Sequence, residues 1–432
     1  MNSNAALPGS EQGEFRKGWS VLLAGMLGVM CGASPIPYNV IGFTAEPLRA
    51  EFGWSQTQVL IPITLFGVIA ALLAPLFGWM SDRFGVRRVA LWSLAAFAVT
   101  FAAIGLTPRA QGPSTLSIYY GLWIAVGLVG IGSTPVTWSR AINLWFFRHR
   151  GLALGILLMG TSLAAMVVPQ IAVRAIEAYG WRAMFALVAL LPVGALVIAL
   201  FLFREPRAEE RPRAIESASG KLTGVTLGTA LRDYRFWLIW LSIALIAAAF
   251  GGAFINMPTM LKLSGVGAET AASVMGVLGI GILTGRLITG ALLDRFWQGF
   301  VAFPLLCLPA ASAWILLGDQ LTFPLAATAG FLLGFAAGAE SDLIAYLTGR
   351  YFGMAHYGKI YGMLYMPFGL FSAASPIIYA QVYDRTGSYD PILQVAIGMF
   401  VAGGAVLLLL GRYPASLPEP EAEAPGLAME PA

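Results

Sequence analysis

Gly78-Trp79-Met80-Ser81-Asp82-Arg83-Phe84 returns half a chain later as Gly290-Ala291-Leu292-Leu293-Asp294-Arg295-Phe296 in a sequence of 432 residues. Each copy closes a long apolar run. A repeated half built of apolar runs implies two bundles of membrane helices facing each other. Such an object is suited to moving something across a bilayer.

Composition agrees. Hydrophobic residues make up 58% of the chain and charged residues 11%, with a mean hydropathy of +0.76. No soluble domain of this length hides that much apolar surface. Eleven charge-free stretches of 20 or more residues run from 18–45 to 391–411, and a twelfth, 270–293, is broken only by Arg286. A helix needs about 20 apolar residues to cross the hydrocarbon core. The runs lack the alternation of barrel strands. The expected fold is therefore an all-α membrane protein with twelve transmembrane helices in two pseudo-symmetric six-helix bundles. The boundaries expected are a tail over 1–17, bundles over 18–203 and 236–411, a linker over 204–235 rich in Arg, Glu, Pro and Ser, and a Pro- and Glu-rich tail over 412–432. The polar segments read as partly disordered.

Roughly three times as many Lys and Arg fall in one set of loops as in the other, which places both termini in the cytoplasm and the chain in a plasma or inner membrane. The net charge of +4 reflects that topology, so nucleic acid is not an expected partner; the lipid bilayer is. Cys31 and Cys307 lie inside apolar runs and read as free buried thiols. No cleavable signal pattern precedes the first run. Glycines spaced by four, Gly330-Gly334-Gly338, Gly151-Gly155 and Gly281-Gly285, read as close helix packing.

The loop Gly78–Arg88 has the form G-x-x-x-D-R-x-G-x-R-R. It resembles the signature loop of the major facilitator superfamily, whose two six-helix halves match the expected architecture. After Phe296 the second copy departs, with Trp297-Gln298-Gly299 in place of the glycine and paired arginines. The glycine permits close helix contact, and an Asp at the inner end of the second span can face the positive N-terminus of a helix from the other half. Gly78, Asp82, Arg83, Arg87 and Arg88, with Gly290, Asp294 and Arg295 as their counterparts, are thus candidate gating residues. Anchoring of topology is the competing role for the arginines.

Further tags are Phe146-Phe147-Arg148-His149-Arg150-Gly151-Leu152-Ala153-Leu154-Gly155, Gly180-Trp181-Arg182, Arg235-Phe236-Trp237 and Tyr383-Asp384-Arg385-Thr386-Gly387-Ser388-Tyr389. Taken in order, they are similar to the monocarboxylate transporters and oxalate–formate antiporters, over roughly residues 18–412.

Ionisable residues inside spans are costly and mark candidate functional sites. Four are present: Arg140, Arg286, Glu340 and Asp342. Arg286 lies eight residues before Asp294, about 12 Å from the inner end of its span at a rise of 1.5 Å per residue. Its guanidinium fork matches a carboxylate and stays charged. Arg286-Leu287-Ile288-Thr289-Gly290 also matches the R-x-x-x-G of the monocarboxylate family, which implies that Arg286 binds the substrate carboxylate. A structural ion pair with Asp342 or Glu340 is the competing role. Asp342 continues the Gly330–Gly338 stripe, whereas Glu340 points about 200° away from it at 100° per residue. Asp342 is the first candidate for proton coupling and Glu340 the second, each also a possible partner for Arg350, Arg286 or Arg140. Arg140 is a second anion contact or the partner of an acid.

Animal monocarboxylate transporters carry a lysine in the first span, where alignment places Tyr38. The oxalate–formate antiporters carry one in the eleventh, where Phe368 stands. One fixed positive charge beside an aromatic wall argues for a single carboxylate on an organic body, with aromatic acids among the candidates. Tyr38, Asn39, Tyr120, Trp123, Asn256, Tyr361 and Tyr365 are candidates to line that pocket, with helix packing the competing role for each.

The resulting expectation is a secondary transporter for an organic monocarboxylate, working by alternating access with proton symport. Anion exchange, or efflux of an amphipathic compound, is the alternative, and a non-transporting ligand sensor is the alternative of another class. The resemblance implies a monomer. The chain carries no H-E-x-x-H, no G-x-S-x-G and no metal-ligand cluster, so neither enzyme nor cofactor is expected.

Overall fold

The computed structural model describes residues 12–418 apart from residues 111, 208–209, 213–214, 217–220, 319–320 and 415–416. The first eleven residues, part of the expected linker and the tail beyond 418 lie outside it. Its described residues form helices, with no strand among them. Ten helical stretches are long and apolar enough to cross a membrane.

The apolar run 18–45 is not one helix. It folds as α1 (Gln12–Met30) and α2 (Ile36–Phe52) on either side of a short break that ends at Pro35. Pro37 sits in the first turn of α2, where its missing N–H costs nothing. α3 (Gln56–Phe84) opens with a reciprocal capping box between Ser55 and Gln58. α4 (Val86–Ile104) follows across Gly85, which takes φ +86°, a left-handed value open to glycine. The next run is also broken, into α5 (Pro113–Gly130), a 3-10 turn over Ile131–Ser133 and α6 (Pro135–Trp145). α7 (Arg150–Val188) and α8 (Leu190–Leu202) form one 53-residue helical stretch. Its backbone turns at Gly180, with φ +82°.

A short α9 (Leu227–Arg232) within the linker, N-capped by Thr226, precedes α10 (Tyr234–Leu263). Then come α11 (Ala268–Arg295), α12 (Gln298–Leu316), α13 (Phe323–Tyr351), α14 (Tyr357–Thr386) and α15 (Asp390–Leu408).

Packing brings the two parts of the chain together along two seams, α3 against α14 and α7 against α11. Both seams are built on glycine. A Cβ on Gly78 would run into the Gly358 carbonyl, and one on Gly358 into that of Gly78; Gly151 and Gly290 stand in the same reciprocal relation. The Gly330–Gly334–Gly338 stripe of α13 lies on the α11 backbone at Val274, Leu278 and Ile282. With no hydrophobic drive between helices in lipid, such close backbone approach supplies the van der Waals contact that holds them.

Candidate functional site

Arg286 sits on α11, between α7 and α13. It is 7% exposed. Its Nη1 donates to Asp342 Oδ1 on α13 at 3.2 Å, and its Nη2 donates to Thr161 Oγ1 on α7 at 3.0 Å. Asp342 is 1% exposed. Glycines make the approach possible: a Cβ on Gly155 would stand 2.7 Å from the Arg286 carbonyl oxygen, and one on Gly338 2.9 Å from its amide nitrogen. The guanidinium therefore bridges helices from both parts of the chain, an acid from one and a neutral hydroxyl from the other.

A tyrosine ladder on α14 runs beside this pair. Ring centroids of Tyr357 and Tyr361 are 5.6 Å apart, and those of Tyr361 and Tyr365 are 5.8 Å apart. Tyr361 and Tyr365 lie within electrostatic range of Arg286, and Tyr38 within range of Tyr365. Tyr38 packs edge-on to Phe66 and is 53% exposed, so it borders open space. Phe368 continues the ladder 5.1 Å from Tyr365.

Other candidate lining residues have different surroundings. Trp123 is fully buried among Phe101, Phe185 and Tyr119. Tyr120 donates to the Gln58 carbonyl of α3. Asn39 Nδ2 donates to the Pro35 carbonyl one turn back, at the start of α2. Asn256 bonds Gly252 and accepts from Tyr389 at 3.3 Å. Glu340 lines a small void with Ile239, Ser242, Leu306 and Leu407, and lies within electrostatic range of Tyr365.

At the end of the molecule that carries the repeat, the two aspartates do the same thing. Asp82 accepts from the Gly358 and Lys359 amides at the start of α14, both at 3.0 Å. Asp294 accepts from the Gly151 and Leu152 amides at the start of α7, at 2.7 and 3.0 Å. Each carboxylate thus occupies the positive end of a helix from the other part of the chain. Asp82 has a third partner, Arg140 Nε at 2.7 Å, and Arg140 also donates to the Ser81 carbonyl. The arginines after Asp82 have another role: Arg87 bonds the Leu200 carbonyl and, through its amide, Glu205. Arg83 lies over Trp79 and Phe84. Arg88 lines an open pocket with Arg83 and Arg87.

Residues 21–376 match the sequence profile of the Major Facilitator Superfamily. The chain belongs to that superfamily. A probable sulfoacetate transporter of Cupriavidus necator is 26% identical, over 89% of this chain and 93% of its own length. Human monocarboxylate transporter 11 is 23% identical, over 91% and 83% respectively. Among solved structures, the proton:xylose symporter XylE superposes with a TM-score of 0.72 at 15% identity, covering 91% of this chain and 96% of that one. The human organic anion transporter MFSD10 gives 0.67 at 18%, covering 91% and 99%. These likenesses agree with the all-helical fold of a superfamily transporter and with a non-enzyme.

Two features of this superfamily member escaped the sequence reading. The helix starts that receive the aspartates are a second repeat: His149-Arg150-Gly151 and His356-Tyr357-Gly358, with the chain's two histidines each at the N-cap. A search for His-x-Gly recurring at about half a chain would have found them. The breaks in the first and fourth apolar runs also meet: the Ala33 amide donates to Ser133 Oγ, and Trp138 Nε1 to the Ser133 carbonyl. Gly180-Trp181-Arg182 has a visible role as well. Trp181 Nε1 and Arg182 Nη1 both donate to Glu51 Oε2, at 2.8 and 2.6 Å, tying the turn after Gly180 to the end of α2.

Proposed function

We propose that this superfamily member is a secondary active transporter for an organic monocarboxylate, coupled to proton symport. The observation that carries the reading is Arg286: a buried, permanent cation held by a carboxylate on one side and a hydroxyl on the other. An incoming carboxylate competes with Asp342 for the guanidinium fork. Once displaced, Asp342 is a buried acid without its cation, and it takes up a proton to avoid standing there charged. Tyr38, Tyr361 and Tyr365 form the wall against which the organic body lies. The sulfoacetate and monocarboxylate transporters among its relatives support an organic acid as cargo.

Alternating access supplies the movement. Counting α1–α2 as one broken span, and dividing Arg150–Leu202 at Gly180, gives twelve spans in two halves, 18–203 and 236–411, joined by the linker 204–235. Both termini face the cytoplasm by the distribution of Lys and Arg. The closed inner end, held by Asp82 and Asp294, opens when the halves rock apart around Arg286.

The test uses proteoliposomes with a trapped pH dye, benzoate and sulfoacetate added outside, and protein-free liposomes as control. Wild type acidifies the lumen, and Arg286→Gln, folded by its thermal melt, does not. Equal acidification by the two would overturn the assignment.

A further inference from the structure

Nearer the inner end than Arg286 lies another buried cation, Arg150, with the half-buried Arg350 beside it. Arg150 is 1% exposed, yet its Nε and Nη2 have no hydrogen-bond partner among the described protein atoms. Asn143 on α6 is fully buried beside Tyr357, and neither atom of its amide makes a well-formed hydrogen bond. Both side chains face Gly349: a Cβ there would stand 2.7 Å from Arg150 Nη1 and 3.7 Å from Asn143 Cγ. Arg350, the next residue on α13, has an unpartnered Nε, and its guanidinium lies 5.5 Å from the Phe147 ring. Arg150 lies 5.6 Å from the same ring. The two guanidiniums thus share one aromatic ring and come from opposite parts of the chain. The nearby carboxylate, Asp294, spends its oxygens on the Gly151 and Leu152 amides. Among the described residues no carboxylate pairs with either arginine.

Buried guanidinium with unmet donors is expensive, and a fork of this kind suits an oxyanion. It lies one step along the same helices from Arg286. Gly155 is level with Arg286 and Arg150 lies five residues further along α7, about 7.5 Å inward. The Tyr365–Tyr361–Tyr357 ladder covers the same interval, with Tyr365 in range of Arg286 and Tyr357 in range of Arg150.

We propose that Asn143, Arg150 and Arg350 form a second anion station that takes the carboxylate head of the cargo between Arg286 and the inner side. The station rests on the transport reading for its cargo, but it predicts anion binding that survives loss of Arg286. The full chain in nanodiscs is melted over a titration of benzoate, with chloride as the inorganic arm. In Arg286→Gln, benzoate still raises the melting temperature. In Arg286→Gln/Asn143→Ala the rise is lost or needs about ten- to hundredfold more benzoate, the range for a charge-assisted hydrogen bond. Arg286→Gln/Arg150→Lys retains the charge, loses the fork and falls between them. No benzoate response in Arg286→Gln overturns the station. A chloride response that benzoate cannot displace overturns its assignment to the cargo. The transport reading fails separately, when wild-type liposomes stay silent to both acids. In inside-out vesicles Asn143→Ala raises KM by about tenfold, with little change in right-side-out vesicles. An equal rise on both sides marks a structural role and refutes the station.

Discussion

Replacing Asp82 by Asn separates what the inner contact does for the transport cycle from what it does for the fold. Asp82 makes two kinds of bond. The bond to Arg140, at 2.7 Å, joins α3 to α6 within one part of the chain and persists in any arrangement of the halves. The bonds to the Gly358 and Lys359 amides cross to α14 and, in the proposed alternating-access cycle, exist only while the inner end is closed. A charge-assisted hydrogen bond is worth about 1.5–3 kcal/mol and a neutral one about 0.5–1.5; Asn has one acceptor oxygen, so it weakens the bond at one amide by about 1 kcal/mol and loses the other outright, its own NH2 facing an N–H. Loss of the charge at the helix start removes about 0.3–1 kcal/mol more. The closed inner end is therefore weakened by about 3–5 kcal/mol relative to the open one, a shift of about 10²-fold to several 10³-fold. Spin labels at Phe84 and Phe296, exposed residues at the inner ends of α3 and α11, report the change by double electron–electron resonance in a Cys31→Ser, Cys307→Ser background. A second, longer distance grows in Asp82→Asn and stays minor in the parent. Arg140, 5% exposed, loses its counter-ion in both states, so Asp82→Asn also melts lower. Adding Arg140→Gln restores the melting temperature without restoring the short distance. An unchanged distance distribution in Asp82→Asn would refute the gating argument, and so would a return to the parent distribution on adding Arg140→Gln.

Gly358→Ala acts on the same equilibrium sterically, because its Cβ meets the Gly78 carbonyl, and it lengthens the same distance; Gly398→Ala, where no atom lies within 4 Å of the new Cβ, does not. Asp342→Asn removes the pH dependence of uptake while benzoate still binds, and Glu340→Gln leaves that dependence in place; the opposite outcome transfers the coupling role to Glu340. In the linker, hydrogen bonds from Arg204 at 2.5 and 2.9 Å hold the Glu210 carboxyl down at about 2. A depressed folded value makes the pair's contribution present above the unfolded carboxyl value and lost only as pH falls through about 2. It is constant between about pH 5 and 7, and Glu210→Gln therefore leaves the pH profile of uptake unmoved; a displaced profile contradicts this. Uptake of a monocarboxylate with one proton is electroneutral, and a potassium diffusion potential set with valinomycin leaves its initial rate unchanged.

Legibility differs between the two ends of each contact. Asp82 and Asp294 stand out in sequence because an acid closing an apolar run is costly and because the run repeats. Their partners are backbone amides at Gly358 and Gly151, and an amide has no side-chain signature; only the His-x-Gly repeat betrays them. Asp342 was readable as facing another helix because it continues the phase of Gly330, Gly334 and Gly338, and α11 with Arg286 is the helix it faces. The aromatic residues were not readable in this way. Trp123 on α5 and Tyr361 on α14 are both fully buried, yet one is packed among Phe101 and Phe185 and the other stands beside Arg286. Apolar periodicity gives both the same pattern, since it records burial and not what lies across the contact. The break before α2 was hidden for a related reason: a charge-free run measures apolar length, and Gly32 and Pro35 interrupt a helix without adding charge.

Charge balance ties the central pair to the proposed stoichiometry. Arg286 and Asp342 together are neutral, and both are almost wholly buried. A carboxylate arriving alone would leave one net negative charge there, and carrying it through a low-dielectric interior is costly. A proton arriving alone would leave one net positive charge at the same cost. Only the anion and the proton together keep the buried count at zero, so each makes room for the other on the same guanidinium. Coupling on this view needs no long-range signal between separate sites. It follows from two ligands sharing one pair of side chains, with Thr161 keeping its hold on Nη2 from across the seam while Nη1 changes partner. Asp342→Asn keeps the shape of the pair and leaves Arg286 charged without its acid. That variant therefore binds the anion and exchanges it, but no longer accumulates it against a pH gradient.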